Sequence, residues 1–173
     1  MSKKSIIVFE GIEGTGKSHH INKVANFLKK NNKKFIKIRE PGGSLNSEKI
    51  RKLILSNKST FNKYTDLLLY LSARSENIEL INKNIGKKII LIDRFSDSTI
   101  AYQHYGMNIN LSFIMKINDF LLKDLKIDFT FLNIVSQQNM KKRLNKRKNL
   151  NRYDKFNRKS LIFLINLRFT PIP

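Results

Sequence analysis

The segment Gly11-Ile12-Glu13-Gly14-Thr15-Gly16-Lys17-Ser18 constrains this chain more than any other. It fits G-x-x-x-x-G-K-[ST] at every fixed position, follows the apolar run "SIIVFE" (5–10) and opens a helical pattern. That strand–loop–helix context gives the motif its meaning. Glycines let successive backbone N–H groups turn inward around phosphate oxygens, and the helix N-terminus adds favourable partial charge. Lys17 neutralises β- and γ-phosphate charge, and Ser18 carries a hydroxyl suited to Mg²⁺. All eight residues are therefore candidates for holding ATP.

Such a loop needs a parallel sheet behind it, and the chain supplies the pattern for one. "KFIKIR" (34–39), "KIILID" (88–93) and "IDFTFLNI" (127–134) read as further strands. The first and third strands are nearly continuous apolar runs, as expected of strands covered on both faces. Helical patterns lie between them, at 17–30, 47–56, 65–84, 96–105, 110–123 and 137–148. This alternation predicts an α/β fold with a parallel sheet flanked by helices. A length of 173 residues, 40% of them hydrophobic, suits one domain with a real core.

No apolar run approaches the roughly 20 residues of a membrane span, and the N-terminus lacks a signal-peptide pattern. With no cysteine there are no disulfides or thiolate metal sites. A cytoplasmic protein is the expectation. The formal net charge of +21 has two readings. One is a nucleic-acid binder. The other is drift towards Lys, Asn and Ile, together with small anionic substrates. The lysines are scattered in short groups and no aromatic residues interleave with them as a stacking platform needs, which favours the second.

Three further segments bear on what accepts the phosphate: "REPGGS" (39–44), "LLLYLSAR" (67–74) and "DRFSDSTIAYQ" (93–103). A monophosphate acceptor carries about two negative charges near its reacting oxygen, so guanidinium groups should converge on it. Arg39 and Arg94 stand just past predicted strand ends, where ligands bind in open α/β sheets. Arg51 lies one short helix further on; a solvated helix face is its other reading. Asp93 ends a strand beside the phosphate loop, the usual place for a carboxylate that orients Mg²⁺ and its waters. Asp93 or Ser96 can equally cap the next helix. Tyr70 and Arg74 are four apart and share one helical face; Tyr70 also reads as a core aromatic.

In order and spacing, these segments and "FEGIEGTGKS" resemble thymidylate kinase over roughly residues 5–155, with "REPGG" similar to its bacterial branch. The resemblance implies a P-loop NTPase three-layer fold, a homodimer, and phosphorylation of dTMP by ATP with Mg²⁺. It places Arg39, Arg51 and Arg94 around the acceptor phosphate. Tyr70 stands where phenylalanine usually stacks on thymine, and Arg74 hydrogen-bonds the base carbonyl. Ser98 or Thr99 and Gln103 read the base edge, and Tyr102 lies near the sugar, where its bulk disfavours a ribose 2′-hydroxyl. Glu13 matches the branch whose loop has no arginine; its carboxylate accepts from the sugar 3′-hydroxyl. Catalytic arginines then come from a basic lid at about 143–153, which offers Arg143, Arg147 and Arg152. Together with Lys17, Asp93 and Arg94 these form the expected catalytic set, and Ser18 and Asp93 the metal set. One departure stands out: threonine often follows the loop serine, whereas His19 and His20 follow it here. The alternatives are another P-loop nucleotide or deoxynucleoside kinase, and an inactive basic nucleic-acid-binding relative.

After Phe156 the pattern changes. The remaining "NRKSLIFLINLRFTPIP" carries a continuous apolar run and prolines that cannot extend a helix. The expectation is a kinase domain over 1–156 and an atypical tail over 157–173, from a frameshift that leaves the family's last strand missing; the alternative is a genuinely short variant whose tail forms a substitute edge strand.

Overall fold

The computed structural model describes residues 5–123, 125–146 and 153. It shows a four-stranded, all-parallel sheet, in the order β2-β3-β1-β4. The strands are β1 (Ile6–Glu10), β2 (Phe35–Arg39), β3 (Ile89–Asp93) and β4 (Phe129–Leu132). Helices α1 (Lys17–Lys30), α2 (Leu45–Leu55), α3 (Lys63–Asn84), α4 (Ser96–Thr99), α5 (Leu111–Leu122) and α6 (Gln137–Asn145) connect and cover them. The expected α/β architecture is present, and α1 has the bounds that its pattern predicts.

Alternation along the central strands divides the core. Ile6, Val8, Ile90 and Ile92 pack on one face with Ile81 of α3, while Phe9 and Leu91 pack on the other with Ile21, Ala25 and Leu28 of α1. Side-chain caps fix several helix starts. Asn62 accepts from the backbone N–H groups of Tyr64 and Thr65, both at 3.0 Å, and Asn110 accepts from Phe113 N at 3.0 Å. Each cap satisfies an N–H that has no partner within its helix.

Two local expectations are corrected. The last strand is Phe129–Leu132, shorter than the predicted 127–134, and it forms an edge of the described sheet. The pattern over 96–105 is not one α-helix: after α4 the chain widens into a π-helix, Ile100–Gly106. π-helical turns are rare and concentrate at functional sites. The expected tail, 157–173, lies outside the described residues. Among those described, no helix is long and apolar enough to cross a membrane.

Candidate active site

The carboxyl ends of β1 and β3 form the floor of the site. β1 and β3 run side by side in parallel with Phe9 opposite Asp93, so the phosphate loop and "DRFSDS" emerge together. Lys17 is buried and folds back over the loop, where its Nζ donates to Gly11 O at 2.6 Å and Ile12 O at 2.8 Å. Burial lowers its pKa to about 7; the Arg94 charge adds to this, and Glu13 and Asp93 oppose it. Gly11 has φ +137°, and an added Cβ would meet Asn133 O at 2.5 Å. Gly11→Ala is therefore expected to displace the loop and cost more than about 1 kcal/mol, measured by urea unfolding; a wild-type midpoint would show that the backbone can give way.

Arg94 follows β3 with φ +68°, an uncommon conformation for a bulky residue and one that marks a constrained site. Its Nη2 donates to Glu13 Oε1 at 2.6 Å, and its Nη1 donates to Gly11 O at 2.8 Å. The Tyr102 hydroxyl donates to Glu13 Oε2. Burial alone would raise the Glu13 pKa, but Arg94 and the Tyr102 hydroxyl outweigh it and hold the carboxyl below its ordinary value. Burial likewise disfavours the Arg94 cation, yet Glu13 and its neighbours raise its pKa further. The loop and the post-β3 arginine are thus one charged unit.

That unit forms one end of a cleft that encloses, with solvent at its mouth, about 490 Å³. Glu13, Arg51, Tyr70, Arg74, Arg94, Ser98, Thr99 and Tyr102 all line it. Arg51 is held there by a 2.5 Å bond from its Nη1 to Pro41 O.

Two expected members stand elsewhere. Arg39 pairs with Glu48, with Nε and Nη2 at 3.1 and 3.0 Å from its carboxylate oxygens, and faces a neighbouring cavity beside Ser18 and Asp93. Gln103 is fully buried beside Asp66 and does not line the cleft. The third strand's helix cap also differs from expectation. Neither Asp93 nor Ser96 caps α4: buried Glu10 accepts from Phe95 N at 2.7 Å and Ser98 N at 3.3 Å. Asp93 is thereby left to the cavity it shares with Ser18.

The arginines of the basic segment divide. Arg143 donates from Nη1 to Gly14 O at 3.0 Å, which lays α6 over the phosphate loop. Arg147 and Arg152 lie outside the described residues. Tyr153, which the sequence reading passes over, is 3% exposed and lines the cleft. Its ring meets Tyr70 and Tyr102 edge-on, with centroids 5.4 and 5.8 Å away, and its hydroxyl donates to Asp66. Its signal in the sequence is the aromatic ring beside Arg152 in "NRYDKF". Glu40, in "REPGGS", is a second residue that the sequence reading passes over. It accepts from Arg74 Nε at 2.9 Å and Nη2 at 2.7 Å.

Burial raises the Asp66 pKa to about 7, against the opposing Gln103 amide. A carboxyl raised in the folded state favours the protonated, low-pH form. Its stabilising contribution is complete below the ordinary aspartate value and is lost as pH rises through about 7. Asp97, raised in the same direction by burial and by Glu10, adds to the slope. Stability is therefore expected to fall between pH 4.5 and 8, with an Asp66 share on the order of 3–4 kcal/mol. Asp66→Asn should flatten the slope in urea unfolding; the same slope in both proteins would rule Asp66 out.

The family model "Thymidylate kinase" matches residues 9–168. The chain belongs to the thymidylate kinase family. Thymidylate kinase from Thermosipho africanus is 40% identical over 166 residues, 95% of this chain and 81% of the relative. That from Prochlorococcus marinus (strain MIT 9515) is 41% identical over 154 residues, 83% of this chain and 73% of the relative. The crystal structure of thymidylate kinase from Ehrlichia chaffeensis superimposes with a TM-score of 0.70 at 36% identity, covering 82% of each chain. The thymidylate kinase match extends beyond Phe156 into residues whose structure is not described here.

Proposed function

We propose that this chain phosphorylates dTMP to dTDP with ATP, by in-line phosphoryl transfer. One observation carries the reading: a cleft that opens beside the phosphate loop joins a cationic end to an aromatic end. Arg94 and Arg51 receive the acceptor phosphate. Tyr70 offers a ring face to the base, with Arg74 and Thr99 at its edge. An oxygen of the acceptor phosphate attacks the γ-phosphorus of ATP while the bond to the β,γ-bridging oxygen breaks, giving dTDP and ADP. The attacking oxygen is already anionic, so no general base is required. Positioning and charge neutralisation dominate.

The chemistry of the donor set supports Mg²⁺. The Ser18 hydroxyl and Asp93 carboxylate share one cavity, and no group of three or more acidic or histidine side chains forms a cage among the described residues. Two protein oxygens suit a small hard cation that keeps most of its waters. When bound, Mg²⁺ neutralises charge on the donor phosphates. Lys17 turns from the loop carbonyls to those phosphates, and Arg143, already against Gly14, supplies guanidinium charge to the transferring group. Arg147 and Arg152 belong to the same set by resemblance, as do a homodimeric state and a cytoplasmic location.

An ADP-release assay across monophosphate acceptors tests the proposal. Turnover with dTMP well above that with dCMP, dGMP, dAMP and UMP is expected; equal or absent turnover with dTMP overturns it.

A further inference from the structure

Arg74 has five N–H donors, and the structure accounts for four. Nε and one Nη2 hydrogen go to Glu40, the other Nη2 hydrogen goes to Thr99 Oγ1 at 2.8 Å, and one Nη1 hydrogen goes to Asn118 Oδ1 at 2.5 Å. The guanidinium also lies over the Phe95 ring, with Cζ 5.1 Å from its centroid. Arg74 is 2% exposed and still lines the cleft. The second Nη1 hydrogen therefore remains for a ligand. Its direction depends on the rotation of the guanidinium plane, which Glu40 and Thr99 hold through Nε and Nη2 and Asn118 holds at the same nitrogen.

Asn118 belongs to α5, is 4% exposed, and does not line the cleft. A buried carboxamide in the middle of an apolar helix is costly unless its hydrogen bond offsets the desolvation. Leucine branches at the same carbon and would suit α5, of which Leu111, Ile114, Ile117 and Leu121 pack in one apolar cluster. Packing therefore does not explain the choice of asparagine, whereas an acceptor for Arg74 Nη1 does.

We propose that Asn118 is a positioning residue for acceptor-base recognition: acting through Arg74, it holds the last free Nη1–H towards the base site of the cleft. Glu40 anchors the opposite edge of the same guanidinium. This rests on the reading that the cleft binds dTMP, and the wild-type chain tests that reading separately.

The experiment compares Asn118→Leu, Asn118→Ala and Asn118→Asp with wild type in steady-state kinetics, dTMP calorimetry without ATP, and thermal unfolding. Asn118→Leu should raise the dTMP KM and Kd by about tenfold or more, the loss expected for a hydrogen bond to a charged group. The KM for ATP, and kcat at saturating dTMP, should stay within about threefold. Asn118→Asp keeps an acceptor for Nη1 and should restore the dTMP KM to within about threefold of wild type. Unchanged dTMP affinity in Asn118→Leu overturns the proposal, and so does an equal loss of ATP affinity. Should the leucine variant not fold, Asn118→Ala decides by the same ratio; failure of both to fold would make Asn118 a core residue only and also overturns it. A wild-type chain that neither binds nor turns over dTMP refutes the functional reading instead.

Discussion

Lys17→Ala is expected to lower kcat by at least about 10²–10³-fold, the loss typical when a charge-stabilising group is removed from a reacting centre. dTMP affinity should stay within about threefold of wild type. The contrast follows from position. Lys17 contacts the loop carbonyls of Gly11 and Ile12 and does not line the acceptor cleft. Burial, with the Arg94 charge beside it, brings the lysine pKa to about 7 despite Glu13 and Asp93, so without ligand its charge is poorly supported. A polyphosphate chain in the loop supplies the missing counter-charge and restores the full cation where charge is being transferred. Lys17→Met, which keeps the aliphatic stem, should be as inactive as the alanine variant if charge is what matters. Kinetics at saturating ATP and calorimetry with dTMP are the measurements. Wild-type turnover in either variant removes the loop from the mechanism; a parallel collapse of dTMP binding would mean that Lys17 holds the loop's shape.

The parts legible in the sequence were those set by local rules. The short apolar run in "KKIILID" suits a strand covered on both faces, and β3 is such a strand. The glycine–lysine–serine pattern fixed the loop, and the four-residue spacing brought Tyr70 and Arg74 to one wall. What stayed hidden depended on partners distant in sequence. Arg39 is the last residue of β2 and not past its end, and Glu48, brought round by the glycine turn, holds it beside Ser18 and Asp93. Asp93 and Ser96 are both reasonable caps in isolation, and nothing local shows that Glu10, 86 residues before Ser96, reaches Phe95 N and Ser98 N first. The π-helix has no sequence signature at this length, and it sends Gln103 behind the cleft while Tyr102 stays in it. Tyr153 packs against Asp66 across 87 residues.

Arg74→Ala is expected to destabilise the fold by about 3–5 kcal/mol, because it leaves the buried Glu40 carboxylate without its partner. The pair is almost fully enclosed: the two side chains are 2% and 5% exposed, and Arg74 Nη2 lies 2.7 Å from Glu40 Oε2. Burial raises the Glu40 pKa even with Arg74 in place. In the variant the carboxyl must either stay charged in a dry site or take up a proton. Because its folded-state pKa is then raised further, the penalty is small at low pH and grows as pH rises, so the loss should be larger at pH 8 than at pH 5. Arg74→Ala/Glu40→Gln should recover part of it, since a neutral amide is less costly to bury unpaired. Against a typical total stability of about 5–15 kcal/mol, such a loss would by itself unfold much of the protein near its melting temperature. Ligand affinity must therefore be read well below that temperature, where dTMP should weaken more than ATP. Urea unfolding of the two variants at both pH values provides the stability test. A wild-type midpoint for Arg74→Ala, or no pH dependence of its loss, would show that the Glu40 carboxylate finds another partner, and the cleft wall would then owe its shape to packing and not to this ion pair.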